Sequence, residues 1–111
     1  RSPYVAAKWG VIGLTKSWAM ELGEFGVRVN AICPGSVSGP RMDGVIEREA
    51  QAVGKTPQEI RTGYEKQVSL QTFIEPDDIA ASCVFLSSPA GRFISGQVLP
   101  VDGNIETMRS N

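Results

Sequence analysis

Two short β-rich runs are separated by about sixty residues that carry several helix signals. The runs are residues 27–33, VRVNAIC, and residues 97–101, QVLPV. A tight hairpin cannot join strands so far apart, whereas a crossover through helices joins parallel strands. Parallel sheets are covered on both faces and contain more than two strands. The sequence therefore predicts an α/β fold, and more specifically the C-terminal part of a doubly wound parallel sheet.

The first helix is predicted over residues 3–22, with Ser2 as its N-cap and Pro3 at its first position, where both residue types are favourable. Apolar side chains lie around most of its circumference, including Trp9 and Trp18. A helix of this kind is typical of a buried position. We therefore expect it to pack against a sheet or another helix.

Three further helices are predicted, two of them from starting signals. The sequence TPQE at 56–59 is a capping box with proline at the first helical position. Pro76, followed by two aspartates, begins the last helix in a similar way. The predicted helices cover residues 43–53, 56–68 and 76–88, and the final strand covers residues 97–101.

Composition argues against several kinds of partner and chemistry. The chain has 111 residues, which is enough for one domain at most. Its net charge of −1 gives no electrostatic reason to expect a nucleic acid or an anionic membrane as partner. No apolar run approaches the roughly 20 residues that span a bilayer. Histidine is absent, which excludes His-based triads and argues against zinc, so no metal is expected. Cys33 and Cys83 are expected to be buried free thiols.

A tyrosine and a lysine lie four residues apart at the beginning of the first helix, in SPYVAAK. This spacing places Tyr4 and Lys8 on one helical face. A phenol alone rarely loses its proton near neutrality, and an adjacent ammonium favours the phenolate. From the spacing alone, however, a solvated tyrosine and a solvated lysine are the simpler interpretation.

Three motifs together resemble the C-terminal portion of the short-chain dehydrogenase/reductase family. They are Tyr4-x-x-x-Lys8, the N-A-x-x-P-G pattern at 30–35, and the terminal G-Q-x-x-x-V-D-G at 96–103. The resemblance covers nearly all of the chain. It implies an oxidoreductase that transfers a hydride between NAD or NADP and a carbonyl or alcohol substrate.

The resemblance also implies a role for each residue of these motifs. Tyr4 is the expected general acid/base. Lys8 is expected to favour the phenolate of Tyr4 and to hydrogen bond to the nicotinamide ribose. Tyr4 and Lys8 are thus expected both to catalyse and to bind the cofactor.

Residues after the first strand are the expected contacts of the nicotinamide ring. Pro34-Gly35 lies at the carboxyl end of that strand, where doubly wound sheets bind ligands. The resemblance implies that the backbone of Val37 hydrogen bonds to the carboxamide. Gly39 stands where the family commonly has threonine, which leaves Ser36 or Ser38 to replace the missing hydroxyl. The alternative for Pro34-Gly35 is a plain turn that ends the strand.

Residues from about 38 to about 72 correspond to the mobile substrate lid of the family. Met42, Val45 and Ile46 are expected to form its apolar wall. Arg41 is a candidate contact for an anionic substrate group, although a solvated charge is the simpler interpretation. Arg41 and Met42 are therefore the candidate substrate residues.

The family's glycine-rich turn, its Asn-Ala-Gly element and its catalytic serine precede the tyrosine, and none is in this chain. We therefore expect residues 1–111 to be the C-terminal segment of a single NAD(P)-binding domain. Alone, these residues are expected neither to fold stably nor to catalyse. The complete enzyme is expected in the cytoplasm as a homotetramer or homodimer. The alternative is a non-catalytic relative or truncated product that serves only in subunit assembly.

Overall fold

The computed structural model describes residues 2–105. Its sheet has two strands, β1 and β2. The Ala31 N–H donates to the Gln97 carbonyl, and the Gly35 N–H donates to the Val101 carbonyl. Residue numbers increase in the same direction on both strands, so the strands are parallel. The predicted α/β class is confirmed. The elements are α1 Ser2–Leu22, β1 Ala31–Pro34, α2 Pro40–Val53, α3 Pro57–Lys66, α4 Pro76–Ser87 and β2 Val98–Val101, with short 3₁₀ turns at Gly23–Phe25 and Pro89–Gly91.

The chain divides into two compact units. Among the described residues, unit 1 contains residues 2–33 and 81–99, and unit 2 contains residues 34–80 and 100–105. In the part of the chain that the structure describes, no helix has both the length and the apolar character needed to cross a membrane.

Helix α1 of unit 1 is exposed over most of its surface. Trp9 is 67% exposed and Met20 is 85% exposed. Thr15 is the one buried residue that α1 contributes, and its hydroxyl donates to the Val11 carbonyl at 2.8 Å. The prediction of a buried helix is therefore wrong for the described residues. Burial of a helix that is apolar on most sides needs neighbours on most sides, and the described part of unit 1 leaves these sides open.

Strand β1 begins later than the predicted run of residues 27–33, because the side chain of Asn30 takes hydrogen-bond positions that a backbone ladder would use. The Asn30 side-chain amide donates to the Ile94 carbonyl at 2.9 Å, and its oxygen accepts from the Gln97 N–H at 3.1 Å. The regular backbone ladder therefore starts only after Asn30, and β1 covers Ala31–Pro34.

Helices α2 and α3 of unit 2 form a hairpin with a core of its own. The buried residues of this core are Ile46, Ala50, Ile60 and Phe73, against which Met42 and Tyr64 pack. Thr56 and Glu59 form the predicted capping box at the start of α3, with both reciprocal hydrogen bonds present. The α2–α3 hairpin, residues 40–66, is therefore a packed structure within the predicted lid region.

The Tyr64 phenol donates to the Glu49 carboxylate at 2.8 Å and joins α3 to α2. This hydrogen bond, followed by burial and by the negative charge of Glu49, raises the pKa of Tyr64 above its usual value. The phenol therefore keeps its proton, and the link between the helices, up to more alkaline pH than a free tyrosine would.

Several predicted boundaries need correction. Helix α2 begins at Pro40 and not at residue 43, since proline is suited to the first helical turn. Helix α3 ends at Lys66 and not at residue 68. Ser2 lies inside α1, not before it. Helix α4 ends at Ser87, one residue before the predicted end at 88. Strand β2 begins at Val98, one residue after the predicted start at 97.

The cysteines also differ from expectation. Both are free thiols, as predicted. Cys33 is only half-buried and Cys83 is exposed, so the prediction that both are buried is wrong for the described residues. An apolar sequence neighbourhood does not bury a thiol unless another element covers it.

Candidate active site

Tyr4 and Lys8 lie together on α1 of unit 1. The Lys8 ammonium nitrogen is 5.3 Å from the centroid of the Tyr4 ring, within the range of a cation–π contact. Both side chains are exposed, and Tyr4 is 64% exposed. The helical spacing therefore brings a positive charge next to a phenol that a ligand can reach.

Gly35 of unit 2 is required by the close approach of a distant segment. A Cβ atom at this position would lie 2.8 Å from the Asp102 Cα and 3.2 Å from the Ile105 side chain. The first of these distances is impossible without movement of the backbone. Packing against Asp102 thus explains the glycine by itself, whether or not a ligand also approaches it. Pro34, which precedes it, is exposed at the end of β1.

Val37 forms an isolated parallel bridge with Ile74. The Ser38 N–H donates to the Ile74 carbonyl and the Ile74 N–H donates to the Ser36 carbonyl, both at 2.8 Å. In a parallel bridge these two bonds are made by the neighbours of the central residue. The N–H and C=O of Val37 itself therefore point to the other side of its segment, away from Ile74. One donor and one acceptor side by side are what an amide group such as a carboxamide needs.

Gly39 precedes α2 with a φ angle of +151°, a backbone conformation that glycine adopts far more readily than other residues. This explains why threonine would be strained at this position. The Ser38 hydroxyl accepts a long hydrogen bond of 3.4 Å from the Arg61 guanidinium. Ser36 contributes its carbonyl to the bridge with Ile74.

The two candidate substrate residues lie at the start of α2. Arg41 is exposed, and Met42 is half-buried against the core of the hairpin. Ile46 is 4% exposed and belongs to that core, so it is not a free surface for a substrate. Ile46, one of the residues expected to form the apolar wall for the substrate, is thus buried between α2 and α3 instead.

Sequence reasoning gave no role to Arg61, whose guanidinium carbon lies 4.3 Å from the centroid of the Phe73 ring. Its position on α3 carries no motif. A charged residue on an amphipathic helix is normally interpreted as solvated, so no sequence signal could have identified this contact.

A family model described as enoyl-(acyl carrier protein) reductase matches residues 1–105. The chain is 43% identical over 105 residues to D-beta-hydroxybutyrate dehydrogenase of Cupriavidus necator, covering 93% of this chain and 40% of that protein. The chain spans about 40% of the length of the curated relatives that it matches first.

Solved structures give a consistent result. A short chain dehydrogenase family protein from Francisella tularensis subsp. tularensis SCHU S4 aligns with a TM-score of 0.87 and 32% identity, over 92% of this chain and 42% of that one. 4-Hydroxyisoleucine dehydrogenase complexed with NADH aligns with a TM-score of 0.73 and 32% identity, over 98% of this chain and 40% of that one.

Proposed function

This chain belongs to the short-chain dehydrogenase/reductase family, and from that membership we propose that its natural full-length protein is an NAD- or NADP-dependent oxidoreductase. The proposed reaction is hydride transfer between the cofactor and a small carbonyl or alcohol substrate. The observation that carries the proposal is the Lys8 ammonium 5.3 Å from the centroid of the exposed Tyr4 ring.

Tyr4 is the proposed general acid/base. A bound nicotinamide supplies or accepts the hydride. In the reductive direction the Tyr4 hydroxyl gives its proton to the substrate oxygen, and in the oxidative direction the phenolate takes that proton. The Lys8 ammonium can stabilise negative charge that develops on the Tyr4 oxygen and can donate to a ribose hydroxyl.

The residues of unit 2 that we propose for the cofactor are Pro34, Gly35, Ser36, Val37 and Gly39. The backbone N–H and C=O of Val37 would hold a carboxamide, since the bridge to Ile74 turns both toward the opposite edge. Arg41 and Met42 remain the proposed substrate contacts at the start of α2. We further propose that residues 38–72 act as the substrate lid and that residues 1–111 are part of one NAD(P)-binding domain.

The test is direct. The natural full-length protein is mixed with NADH or NADPH and a panel of carbonyl compounds that includes 3-oxo acids, the class suggested by the name of the Cupriavidus necator relative. Substrate-dependent oxidation of one cofactor is expected. Failure to bind either cofactor would contradict the proposal.

Residues 1–111 expressed alone are expected to give no turnover and no cooperative unfolding transition in denaturant. The reason is the exposed apolar surface of α1, where Trp9 is 67% exposed. A surface of this kind favours association over a stable monomer. Measurable cofactor oxidation, or a cooperative transition, would contradict this expectation.

We also propose that the full-length protein is a homotetramer or homodimer in the cytoplasm. The exposed apolar side chains of α1 are Val5, Trp9, Val11, Leu14, Trp18 and Met20. Trp18→Glu is expected to lower the sedimentation coefficient of the full-length protein, because a charge in an apolar interface is costly. Val53→Glu on α2, also an exposed apolar residue, is the matched control. A wild-type monomer at micromolar concentration would contradict the proposal.

A non-catalytic role in subunit assembly is the second candidate. The exposed apolar surface of α1 is the observation that favours it. Such a protein would form the oligomer but show no turnover with either cofactor, so sedimentation and the activity assay together separate the two candidates.

A further inference from the structure

Arg61 contacts both ends of the segment that contains the α2–α3 hairpin. Near the beginning of that segment, its guanidinium lies 3.4 Å from the Ser38 hydroxyl and 3.6 Å from an Asp43 carboxylate oxygen. Near the end, its guanidinium carbon lies 4.3 Å from the centroid of the Phe73 ring. One side chain on α3 thus joins the two points where the hairpin departs from and returns to the rest of unit 2.

The contact with Phe73 is the strongest of these three. Phe73 is 6% exposed, so its ring face is shielded from water, and a cation over a desolvated ring is held more firmly than one at the surface. The Asp43 side chain is 67% exposed, which makes a single ion pair weak. The bond to Ser38 is long and therefore also weak. These two contacts orient the planar guanidinium over the ring.

The residues that Arg61 contacts adjoin the bridge between Val37 and Ile74. Ser38 donates one of the two bridge hydrogen bonds, and Phe73 immediately precedes Ile74. Arg61 therefore connects α3 to both strands of the bridge. If α3 moved away from Phe73, the bridge between Val37 and Ile74 would lose a support. The Val37 N–H and C=O, which point away from Ile74, would then be held less firmly.

We propose that Arg61 is a positioning residue that holds the Val37–Ile74 bridge closed and thereby keeps the Val37 N–H and C=O in place for the cofactor. The part of this inference that concerns the cofactor rests on the proposed function. The part that concerns the bridge does not, because it depends only on contacts within unit 2. The role requires the planar fork of arginine, since an ammonium cannot stack on the ring and reach two oxygens together.

The test compares Arg61→Met, Arg61→Lys and the matched control Arg48→Met in the natural full-length protein. Arg48 is exposed on α2, so its replacement makes the same charge change on the same hairpin. In Arg61→Met the Ser38 and Ile74 amides are expected to exchange hydrogen about tenfold faster than in wild type. Arg48→Met is expected to leave both amides as in wild type, and Arg61→Lys is expected to lie between the two.

The second measurement concerns binding and turnover. Arg61→Met is expected to raise the Kd for NADH or NADPH and the KM for the carbonyl substrate by about three- to tenfold, because only part of the free energy lost with the cation–π contact to Phe73 acts on the cofactor site. The value of kcat should change less. A purely structural role would instead lower the folded fraction and apparent kcat, and leave Kd and KM unchanged.

Two results would overturn the inference. Equal amide exchange in Arg61→Met and Arg48→Met would remove Arg61 as the support of the bridge. Faster exchange with unchanged Kd and KM would remove its positioning role. If Arg61→Met does not fold, Arg61→Lys carries the same comparison, with smaller changes expected in the same direction. A wild-type protein that binds neither cofactor overturns the proposed function, whereas amide exchange still decides the role of Arg61 in the bridge.

Discussion

Replacement of Tyr4 by phenylalanine is expected to lower kcat by about 10²–10⁴-fold in the full-length protein, because general acid/base catalysis contributes an effect of that size. The change removes one hydroxyl and keeps the ring beside Lys8. Affinity for NADH or NADPH should therefore remain close to that of wild type. Steady-state kinetics and a fluorescence titration with the reduced cofactor measure the two quantities separately.

Tyr64→Phe is the matched control, since the chain contains two tyrosines and the same hydroxyl is removed. The Tyr64 phenol bonds to Glu49 on the surface of the hairpin. Its loss is expected to lower the free energy of unfolding slightly, by about 1 kcal/mol, and to leave kcat near that of wild type. A near-normal kcat in Tyr4→Phe would exclude Tyr4 as the proton donor.

Replacement of Lys8 by methionine is expected to reduce kcat at neutral pH by about tenfold or more and to weaken cofactor binding. Both effects follow from one ammonium, which lies 5.3 Å from the Tyr4 ring centroid. The charge can stabilise the negative charge that develops on the Tyr4 oxygen as its proton moves, so its loss slows proton transfer. Steady-state kinetics at neutral pH and a titration with the reduced cofactor measure the two effects separately.

Lys16→Met is the control for this change. Lys16 is on the same helix, and its ammonium donates to the Gly96 carbonyl at 2.9 Å. The variant loses the same charge from α1 but should keep the kcat and cofactor affinity of wild type. If Lys8→Met weakens cofactor binding but leaves kcat unchanged, Lys8 is a cofactor contact without influence on Tyr4.

The secondary structure was largely predictable, because its signals lie within a few residues of one another. Proline at the first turn marks α3 and α4, and Thr56 with Glu59 forms the predicted capping box. The start of α2 at Pro40 was missed although its signal is local, whereas other errors lie where a distant residue determines the structure. Asn30, for example, shortens β1 because its side chain binds Ile94 and Gln97, which are far along the chain.

The amino-acid sequence by itself determined the α/β class and the pairing of Tyr4 with Lys8, because residues four apart on a helix are neighbours in any fold that contains the helix. Only the tertiary structure decided why residue 35 is glycine and what Arg61 contacts. Asp102 lies against Gly35, and Phe73 lies under Arg61. The exposure of α1 was decided in the same way. Helical periodicity shows which faces are apolar, but burial depends on elements brought near by folding or assembly, which local spacing does not encode.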